Sequence, residues 1–334
     1  MAEFRRDPVD GKWVIIAPER RKRFTPVSPE AVAQEYSEGC PFCAGNESLT
    51  PPEIFAFREP GSKKDQAGWR VRVIPNRAPI LRVEVELARE GVGYYDKVSG
   101  LGANEVIIET PDHNQVYSQL PVERLAENYL AYRERIRDLK KDKRLKYVLI
   151  FKNYGRSAGA VIDHPHSQIM AMPIIPRQIA EELRGAREYY EHKERCIFCD
   201  IVHQEIEDRV RLVFENKEFL VISPWAPIFP FELWVVPRLH RPVFEDSSDE
   251  LILKLAEAVK QSMLKLDMVL ERPHFNLVLH TLPLDVKEES PNYHWHFEIL
   301  PRLIQVAGFE YGSGFYINPV MPEQAADYLR RAEL

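Results

Sequence analysis

Several features that mark particular protein classes are scarce or missing in this sequence. Only four of its 334 residues are cysteine, so it is not a disulfide-rich secreted scaffold. No segment approaches the roughly 20 apolar residues of a membrane-spanning helix, and the first residues lack the apolar core of a signal peptide. The net charge is −6, without the basic excess that nucleic-acid-binding proteins carry. We therefore expect a soluble, cytoplasmic protein that binds neither nucleic acid nor a membrane.

The four cysteines form two pairs with the same spacing, Cys40-Pro-Phe-Cys43 and Cys196-Ile-Phe-Cys199. In a large intracellular chain this spacing is typical of a metal site. A redox pair of the thioredoxin kind has the same spacing, but it gives no role to the histidines that accompany both pairs. Disulfides are the least favoured interpretation, because cytosolic thiols are kept reduced. Zinc therefore ranks first, redox chemistry second and disulfides last.

Histidines follow each cysteine pair in the same order. The first pair precedes His113 and the triplet His164-Pro165-His166, and the second precedes His240 and the triplet His294-Trp295-His296. Two thiolates and two imidazoles form a common structural zinc set. We predict two zinc ions per chain, one held by Cys40, Cys43, His113 and His164 and the other by Cys196, Cys199, His240 and His294.

The repeat extends beyond these ligands and predicts two copies of one α+β unit. In each half a strand-like run places a glutamate, Glu105 or Glu232, eight residues before the histidine. Apolar β-rich runs at 147–151 and 275–279 precede the two triplets. Helical spacing of apolar residues predicts helices over 122–140 and 248–269, at corresponding places in the two halves. A polar helical segment at 173–194 is the predicted connector.

His166 is the candidate nucleophile. In an extended segment residues two apart share a face, so His164 can bind metal while His166 beside it stays free. A neutral imidazole keeps a lone pair near neutral pH and can attack phosphorus. Ser167 and Gln168 follow at once and can donate to phosphate oxygens. Upstream, the glycine-bearing loop 153–159 can bring backbone N–H groups to an anion.

The segment from Asn153 through Gly159 to His164-Pro-His-Ser-Gln168 resembles the active-site segment of galactose-1-phosphate uridylyltransferases, duplicated members of the histidine-triad (HIT) superfamily. The resemblance implies an α+β fold of two tandem HIT-like domains, each a mainly antiparallel half-barrel sheet with flanking helices. These would be a catalytic domain over 1–176 and a second domain over 177–334 that opens with a connector helix at about 177–194. It also implies a homodimer.

The same resemblance implies the reaction. His166 would take UMP from UDP-glucose as a covalent uridylyl-histidine and pass it to galactose 1-phosphate, giving UDP-galactose, and Gln168 would contact the phosphate. The substrate-binding residues it implies are Arg20, Arg23, Asn76, Arg77, Asn153, Ser157, Gly159, Ser167, Phe309 and Glu310. The chain departs from the family pattern at three of the matching positions, with Arg77 for an acid, Phe309 for a tyrosine and Val161 for a serine that many relatives carry.

A second metal arrangement known in the family competes with the predicted second zinc site. It uses one glutamate and three histidines, here Glu182, His280, His294 and His296. The intact Cys196/Cys199 pair favours the Cys₂His₂ set, because thiolates beside imidazoles capture zinc. We expect no chemistry at His296, since Glu298 replaces the phosphate-contacting glutamine of the first half and would repel a phosphate.

Two other functions stay open. A related phosphorylase or adenylyltransferase acting on ADP-glucose or a dinucleoside polyphosphate would use the same histidine, with orthophosphate as the acceptor of the phosphorylase. Pro165 favours the uridylyltransferase, because the adenylyl relatives tend to carry serine there. A zinc-ribbon-like binding protein without catalysis explains the cysteines but gives His166, Gln168 and the glycine loop no role.

Overall fold

The computed structural model describes residues 1–23, 39–286 and 290–332, without the side chains of 21–23. Within these ranges the strands are β1 Glu3–Arg6, β2 Trp13–Ile16, β3 Phe55–Arg58, β4 Trp69–Pro75, β5 Arg89–Val92, β6 Tyr95–Val98, β7 Ala103–Ile108, β8 Tyr147–Tyr154, β9 His166–Met172, β10 Leu212–Glu215, β11 Phe219–Ile222, β12 Leu233–Pro237, β13 Phe275–His280, β14 His296–Pro301 and β15 Tyr316–Asn318. The helices are α1 Val122–Leu139, α2 Arg177–Lys193, α3 Ile197–Asp208, α4 Asp249–Leu270, α5 Gly308–Ser313 and α6 Pro322–Arg331.

Ten of the described strands form one large antiparallel sheet in the order β10-β11-β12-β14-β13-β8-β9-β7-β4-β3. The sheet consists of two five-stranded halves with the same internal order, β3-β4-β7-β9-β8 and β10-β11-β12-β14-β13. The halves meet where β8 pairs with β13. The duplicated α+β architecture predicted from the repeat is confirmed, and the two copies share one continuous sheet.

The two faces of the large sheet have different neighbours. Helices α1 and α4 pack on each other and on one face, where they bury the main core. The opposite face carries His166 in the first half and His296 in the second. Phe42 and the first cysteine pair lie over part of this face in the first half, and α3 covers it in the second.

The long helices follow from apolar periodicity and capping. Helix α1 buries Leu125, Tyr129, Tyr132 and Ile136, three to four residues apart, against the sheet. Helix α4 begins after Ser248, whose side chain accepts a hydrogen bond from the Leu251 N–H. These helices begin and end within one residue of the predicted bounds. Helix α2 lies in the segment expected to connect the halves, while the division into domains 1–176 and 177–334 stays a prediction.

The equivalence expected between Glu105 and Glu232 is wrong. Ile108 of β7 pairs with His166, whereas the register of β12 with β14, continued by one residue, sets Val236 opposite His296. The chain from the paired strand residue to the predicted metal-binding histidine, His113 or His240, is therefore one residue shorter in the second half. Glu232 then corresponds to Asn104 rather than to Glu105. Spacing along the chain cannot reveal a one-residue deletion between a strand and a ligand.

Smaller elements surround the large sheet. Strands β1, β2 and β15 form a three-stranded sheet, and β5 and β6 form an exposed hairpin. Helix α3, which begins directly after Cys196, was not predicted. In the described part of the chain we find no helix with the length and apolarity needed to cross a membrane.

Candidate active site and metal sites

The first predicted metal set comes together in the structure. Cys40 and Cys43 lie on a turn closed by the Cys43 N–H to Cys40 carbonyl hydrogen bond. The Cys40 Sγ and Cys43 Sγ atoms each lie 3.7 Å from His164 Nδ1, and Cys43 Sγ lies 3.7 Å from His113 Nδ1. Tetrahedral zinc with Zn–S of about 2.3 Å and Zn–N of about 2.1 Å needs S···N distances of about 3.6 Å. The four buried residues therefore fit zinc.

The ring orientation of His164 supports metal binding. Its Nε2 lies 2.7 Å from the Thr110 carbonyl oxygen, which can only accept, so Nε2 carries the proton. The lone pair of Nδ1 then points at the two sulfur atoms. This arrangement, with the distal N–H held by a carbonyl, is typical of metal-bound histidine.

The second Cys₂His₂ set also comes together. Cys199 Sγ lies 3.4 Å from His240 Nδ1 and 3.8 Å from His294 Nδ1, and Cys196 belongs to the same group. The Nε2 atoms of His240 and His294 donate to the Ser290 and Leu239 carbonyl oxygens. This set fits zinc by the same test. It is less buried than the first, since His240 is exposed and Cys199 is half-buried.

The competing set is separated from His294. Glu182, His280 and His296 form their own buried group on the second half. A Glu182 carboxylate oxygen lies 2.9 Å from His280 Nδ1, and Glu298 lies 3.8 Å from His280 Nε2. Burial opposes protonation of His280, but the two carboxylates outweigh it and raise its pKa to about 9. His294 faces the cysteines, so it belongs to the second Cys₂His₂ set and not to the group of Glu182, His280 and His296.

His166 has the geometry of a nucleophile. Its Nδ1 lies 2.7 Å from the His164 carbonyl oxygen and therefore carries the proton, which leaves the lone pair on Nε2. Burial lowers the pKa of His166, so the ring stays neutral near pH 7. The edge-to-face contact with Phe42, at 5.3 Å between ring centroids, fixes the ring plane.

A buried polar group lies on the opposite face of β9, beneath His166. Lys152 Nζ lies 2.6 Å from Glu109 and donates to the His166 carbonyl oxygen at 3.1 Å. Ser167 donates to Glu109, and its Oγ lies 2.5 Å from the Tyr132 hydroxyl. These contacts anchor the backbone of His166 and Ser167 to α1 and β8.

The location of Ser167 corrects our expectation for that residue. Successive residues of a strand point to opposite faces, so Ser167 faces α1 while His166 and Gln168 face the other side. The Ser167 side chain is fully buried, and its hydroxyl donates to Glu109. It is a structural contact and does not reach a substrate on the face that carries His166.

The loop after β8 meets the second half of the chain. The pairing of β8 with β9 ends at Phe151 and Gln168, and its register, continued by two residues, sets Asn153 opposite His166 on the same face. Gly155 and Gly159 have φ values of +80° and +87°, which favour glycine. The N–H groups of residues 157–160 donate within the protein, so the expected backbone cradle for an anion does not form from them. Ser157 instead contacts His274, with 2.7 Å between Oγ and Nδ1.

The other predicted substrate contacts are spread over the molecule. Arg20 is exposed on the 3₁₀ helix Pro18–Arg23, and the side chain of Arg23 lies outside the described residues. Asn76 donates to Asn104 at the end of β4, and Arg77 after it is exposed.

Phe309 and Glu310 lie on α5, which packs on β15 of the small sheet. Glu310 accepts a hydrogen bond from the Ala307 N–H and caps this helix.

Sequence reasoning missed Lys152, Glu109, Tyr132, His274 and Asn276. A signal existed for Lys152, a charged residue within the strand that directly follows the apolar run 147–151. His274 and Asn276 belong to the other half of the chain, and pattern reading alone gave no reason to join them to this site.

Comparisons with known proteins identify the family of the chain. A model described as galactose-1-phosphate uridyl transferase, N-terminal domain, matches residues 74–176, and its C-terminal counterpart matches residues 182–334. The chain is 35% identical to the ADP-glucose phosphorylase of Arabidopsis thaliana, with 99% of this chain and 93% of that protein covered. It is 30% identical to the galactose-1-phosphate uridylyltransferase of Thermotoga maritima, with 100% and 99% covered.

Solved structures of two enzymes are similar to this chain over nearly its whole length. The ADP-glucose phosphorylase of Arabidopsis thaliana with bound ADP-glucose matches with a TM-score of 0.86 and 33% identity over the whole of both chains. A uridylyltransferase structure matches with a TM-score of 0.77 and 29% identity, covering 99% of this chain and 97% of that one. The fold and site thus define a nucleotidyltransferase enzyme. The chain belongs to the galactose-1-phosphate uridyl transferase family.

Proposed function

We propose that the enzyme transfers a nucleoside monophosphate from a nucleotide sugar through a covalent nucleotidyl-histidine on His166. The observation that carries this proposal is the hydrogen bond from His166 Nδ1–H to the His164 carbonyl oxygen, which leaves Nε2 unprotonated. A neutral nucleophile with a fixed lone pair is what attack on a phosphodiester-like phosphorus requires.

Two displacements complete the transfer. In the first, His166 Nε2 forms a bond to the α-phosphorus while the bond from that phosphorus to the bridging oxygen breaks, and the sugar phosphate leaves. In the second, a phosphate oxygen of the acceptor attacks the same phosphorus and the P–N bond breaks. The positive charge that develops on the imidazole is stabilised by the His164 carbonyl oxygen at Nδ1–H.

Polar side chains on the face of His166 would bind the phosphoryl oxygens. Gln168 shares this face two residues along β9, and the continued register of β8 with β9 puts Asn153 on the same face. Their amide N–H groups would donate to the phosphoryl oxygens as charge develops.

The first candidate reaction moves UMP from UDP-glucose to galactose 1-phosphate. Family membership and Pro165 between the two histidines support it. The second candidate is phosphorolysis of ADP-glucose, supported by the 35% identity to the Arabidopsis thaliana enzyme of that name. Both use the same covalent step and differ in base and acceptor.

We also propose that the two Cys₂His₂ sets bind structural zinc. When bound, zinc would crosslink the turn Cys40–Cys43 to the segment before β9, and α3 to the segment before β14, and so hold both histidine triplets in place. The catalytic domain would be 1–176 and the second domain 177–334, in a cytoplasmic homodimer.

The test is mass spectrometry after a short incubation with UDP-glucose or ADP-glucose alone. Peptide mapping should find one UMP or one AMP on His166. Whichever nucleotide labels His166 more completely identifies the nucleotide-sugar donor. Adding galactose 1-phosphate or orthophosphate should then discharge the label, which identifies the acceptor. Full turnover by His166→Asn would overturn the covalent mechanism.

A further inference from the structure

We propose that Asn276 and His274, both from the second half of the chain, are positioning residues for the glycine-bearing loop of the first half, which carries Asn153. Here that loop is defined as residues 153–159. The proposal rests on the proposed function, because its consequence is measured on the transfer that His166 performs.

Asn276 fixes the orientation of the Asn153 amide. Its Nδ2 donates to the Asn153 Oδ1 at 2.8 Å and to the Ala158 carbonyl oxygen at 2.9 Å. Because a carbonyl can only accept, the nitrogen of Asn276 must be the atom at this position. Asn153 therefore presents its oxygen to Asn276 and its amide nitrogen to the other side, 3.8 Å from the position of a Cβ on Gly159.

This orientation decides what Asn153 can do. With its oxygen already accepting from Asn276, the amide of Asn153 is left as a donor toward the face of His166. A donor binds a phosphoryl oxygen, whereas an amide rotated by half a turn would present an oxygen and repel it.

His274 holds the other end of the loop. The Ser157 N–H donates to His274 Nδ1 at 3.2 Å, so this nitrogen is unprotonated and accepts. The imidazole also lies against Gly155, where a Cβ would come within 2.0 Å of His274 Cδ2. Gly155 with φ of +80° is thus needed both for the turn and for the close approach of the ring.

Comparing the two halves shows that these contacts occur at one end of the β8–β13 pairing, which we call the seam. The two registers equate Ile150 with Leu277, so Asn276 corresponds to Leu149 and Asn153 corresponds to His280. Continuing the seam register by one residue sets His280 beside Leu149, a pair that cannot reproduce the Asn276–Asn153 contact. The second half therefore contacts the active site of the first through this pair, and among the described residues the equivalent position of the first half offers the second half no such contact.

The first test is Asn276→Asp, which keeps the shape and removes both donors. The Asn153 amide should rotate and present its oxygen to the phosphate, so we expect kcat to fall about 10- to 100-fold with a smaller change in KM, as for other misplaced catalytic groups. Val278→Thr is the matched control, because it is isosteric and lies two residues along the same strand face. It should keep wild-type kinetics.

The second test compares His274→Asn with His274→Leu. The asparagine oxygen can accept the Ser157 N–H near the position of Nδ1, so this variant should recover most of the kcat that the leucine variant loses. Thermal unfolding and zinc content matched to the wild type separate positioning from misfolding. If Asn276→Asp does not fold, the His274 pair alone decides the question.

The outcomes separate this proposal from the proposed function. An active wild type with unchanged kcat in both Asn276→Asp and His274→Leu overturns the positioning role and leaves the covalent mechanism intact. Equal losses in His274→Asn and His274→Leu also overturn the role of His274. A wild type that neither labels His166 nor turns over either donor overturns the proposed function, and the positioning proposal falls with it.

Discussion

Lys152 and Glu109 form a buried ion pair, with 2.6 Å between Nζ and the carboxylate, directly beneath the backbone of His166. Both side chains are essentially inaccessible to solvent. Burial lowers the pKa of Lys152, and the charge of Glu109 opposes that effect. Ser167 and Tyr132 add hydrogen bonds to the same carboxylate, so this pair is the centre of a network that joins β8, β9, α1 and the residue that follows β7.

Removing one partner of this pair should cost far more stability than removing both. Lys152→Met leaves a buried carboxylate without its counter-charge, so we expect the free energy of unfolding to fall by about 3–5 kcal/mol. The double variant Lys152→Met/Glu109→Leu should recover part of this loss, because no uncompensated charge remains. Urea unfolding of the single and double variants measures the difference.

Catalysis gives an independent check on the same pair. The double variant loses the hydrogen bond to the His166 carbonyl oxygen and should therefore have reduced kcat even where its stability is restored. A single Lys152→Met variant as stable as the wild type would contradict the assignment of a charged pair.

The two zinc sites should release metal at different rates. The first set is fully buried, whereas His240 of the second is exposed and Cys199 is half-buried. We expect about two zinc ions per chain, given four ligands at each site. A chelator with a colorimetric readout should remove them in two phases. Cys199→Ser should abolish the fast phase and Cys43→Ser the slow one. A single phase for both ions, or one ion per chain, would contradict the twin sites.

Local patterns predicted the elements and ligands that depend on nearby residues. The periodicity of α1 and α4 gave their bounds, and the Cys-x-Phe-Cys pairs with their histidines gave both metal groups. Duplication strengthened these predictions, because two copies of one pattern constrain each other. The ten-stranded order followed less directly, since the repeat predicts two similar halves but not the pairing of β8 with β13.

Two of the errors share a physical cause, which is the geometry of strands. Ser167 was placed among the substrate contacts because it adjoins His166, yet alternation turns it toward α1. Glu105 and Glu232 have the same spacing to a histidine, but Glu105 pairs with Arg135 of α1 whereas Glu232 accepts the N–H groups of residues 228 and 229. Only the hydrogen-bonded register separates these cases.

Asp7 should make stability depend on pH. Burial raises the pKa of Asp7 to about 6, against the opposing charge of Lys12. Its folded pKa exceeds the unfolded value of about 3.9, so the folded state holds the proton more tightly. The resulting stabilisation is complete below about pH 4 and is lost as pH rises to about 6.

The variant Asp7→Asn removes this titration and keeps an oxygen that can accept from the Val9 and Asp10 N–H groups. Urea unfolding at several pH values from 4.5 to 7 should therefore show the wild type losing stability relative to the variant as pH rises. A constant difference across this range would show that Asp7 does not titrate there. Effects of pH on the zinc ligands cancel, because they are common to both proteins.

The second histidine triplet should remain inactive even when its most evident difference is removed. Glu298 occupies the place that Gln168 has in the first half, so Glu298→Gln gives the second half the side chain that we propose contacts phosphate in the first. His296 nevertheless stays covered, because the rings of Phe198 and Trp234 each lie 5.1 Å from its imidazole. In a His166→Asn/Glu298→Gln double variant we expect no nucleotidyl label after incubation with UDP-glucose or ADP-glucose. Glu298→Gln alone, as the matched control, should still label His166. Peptide mapping that finds the label on His296 would show that the charge of Glu298, and not the aromatic cover, keeps the second half inactive.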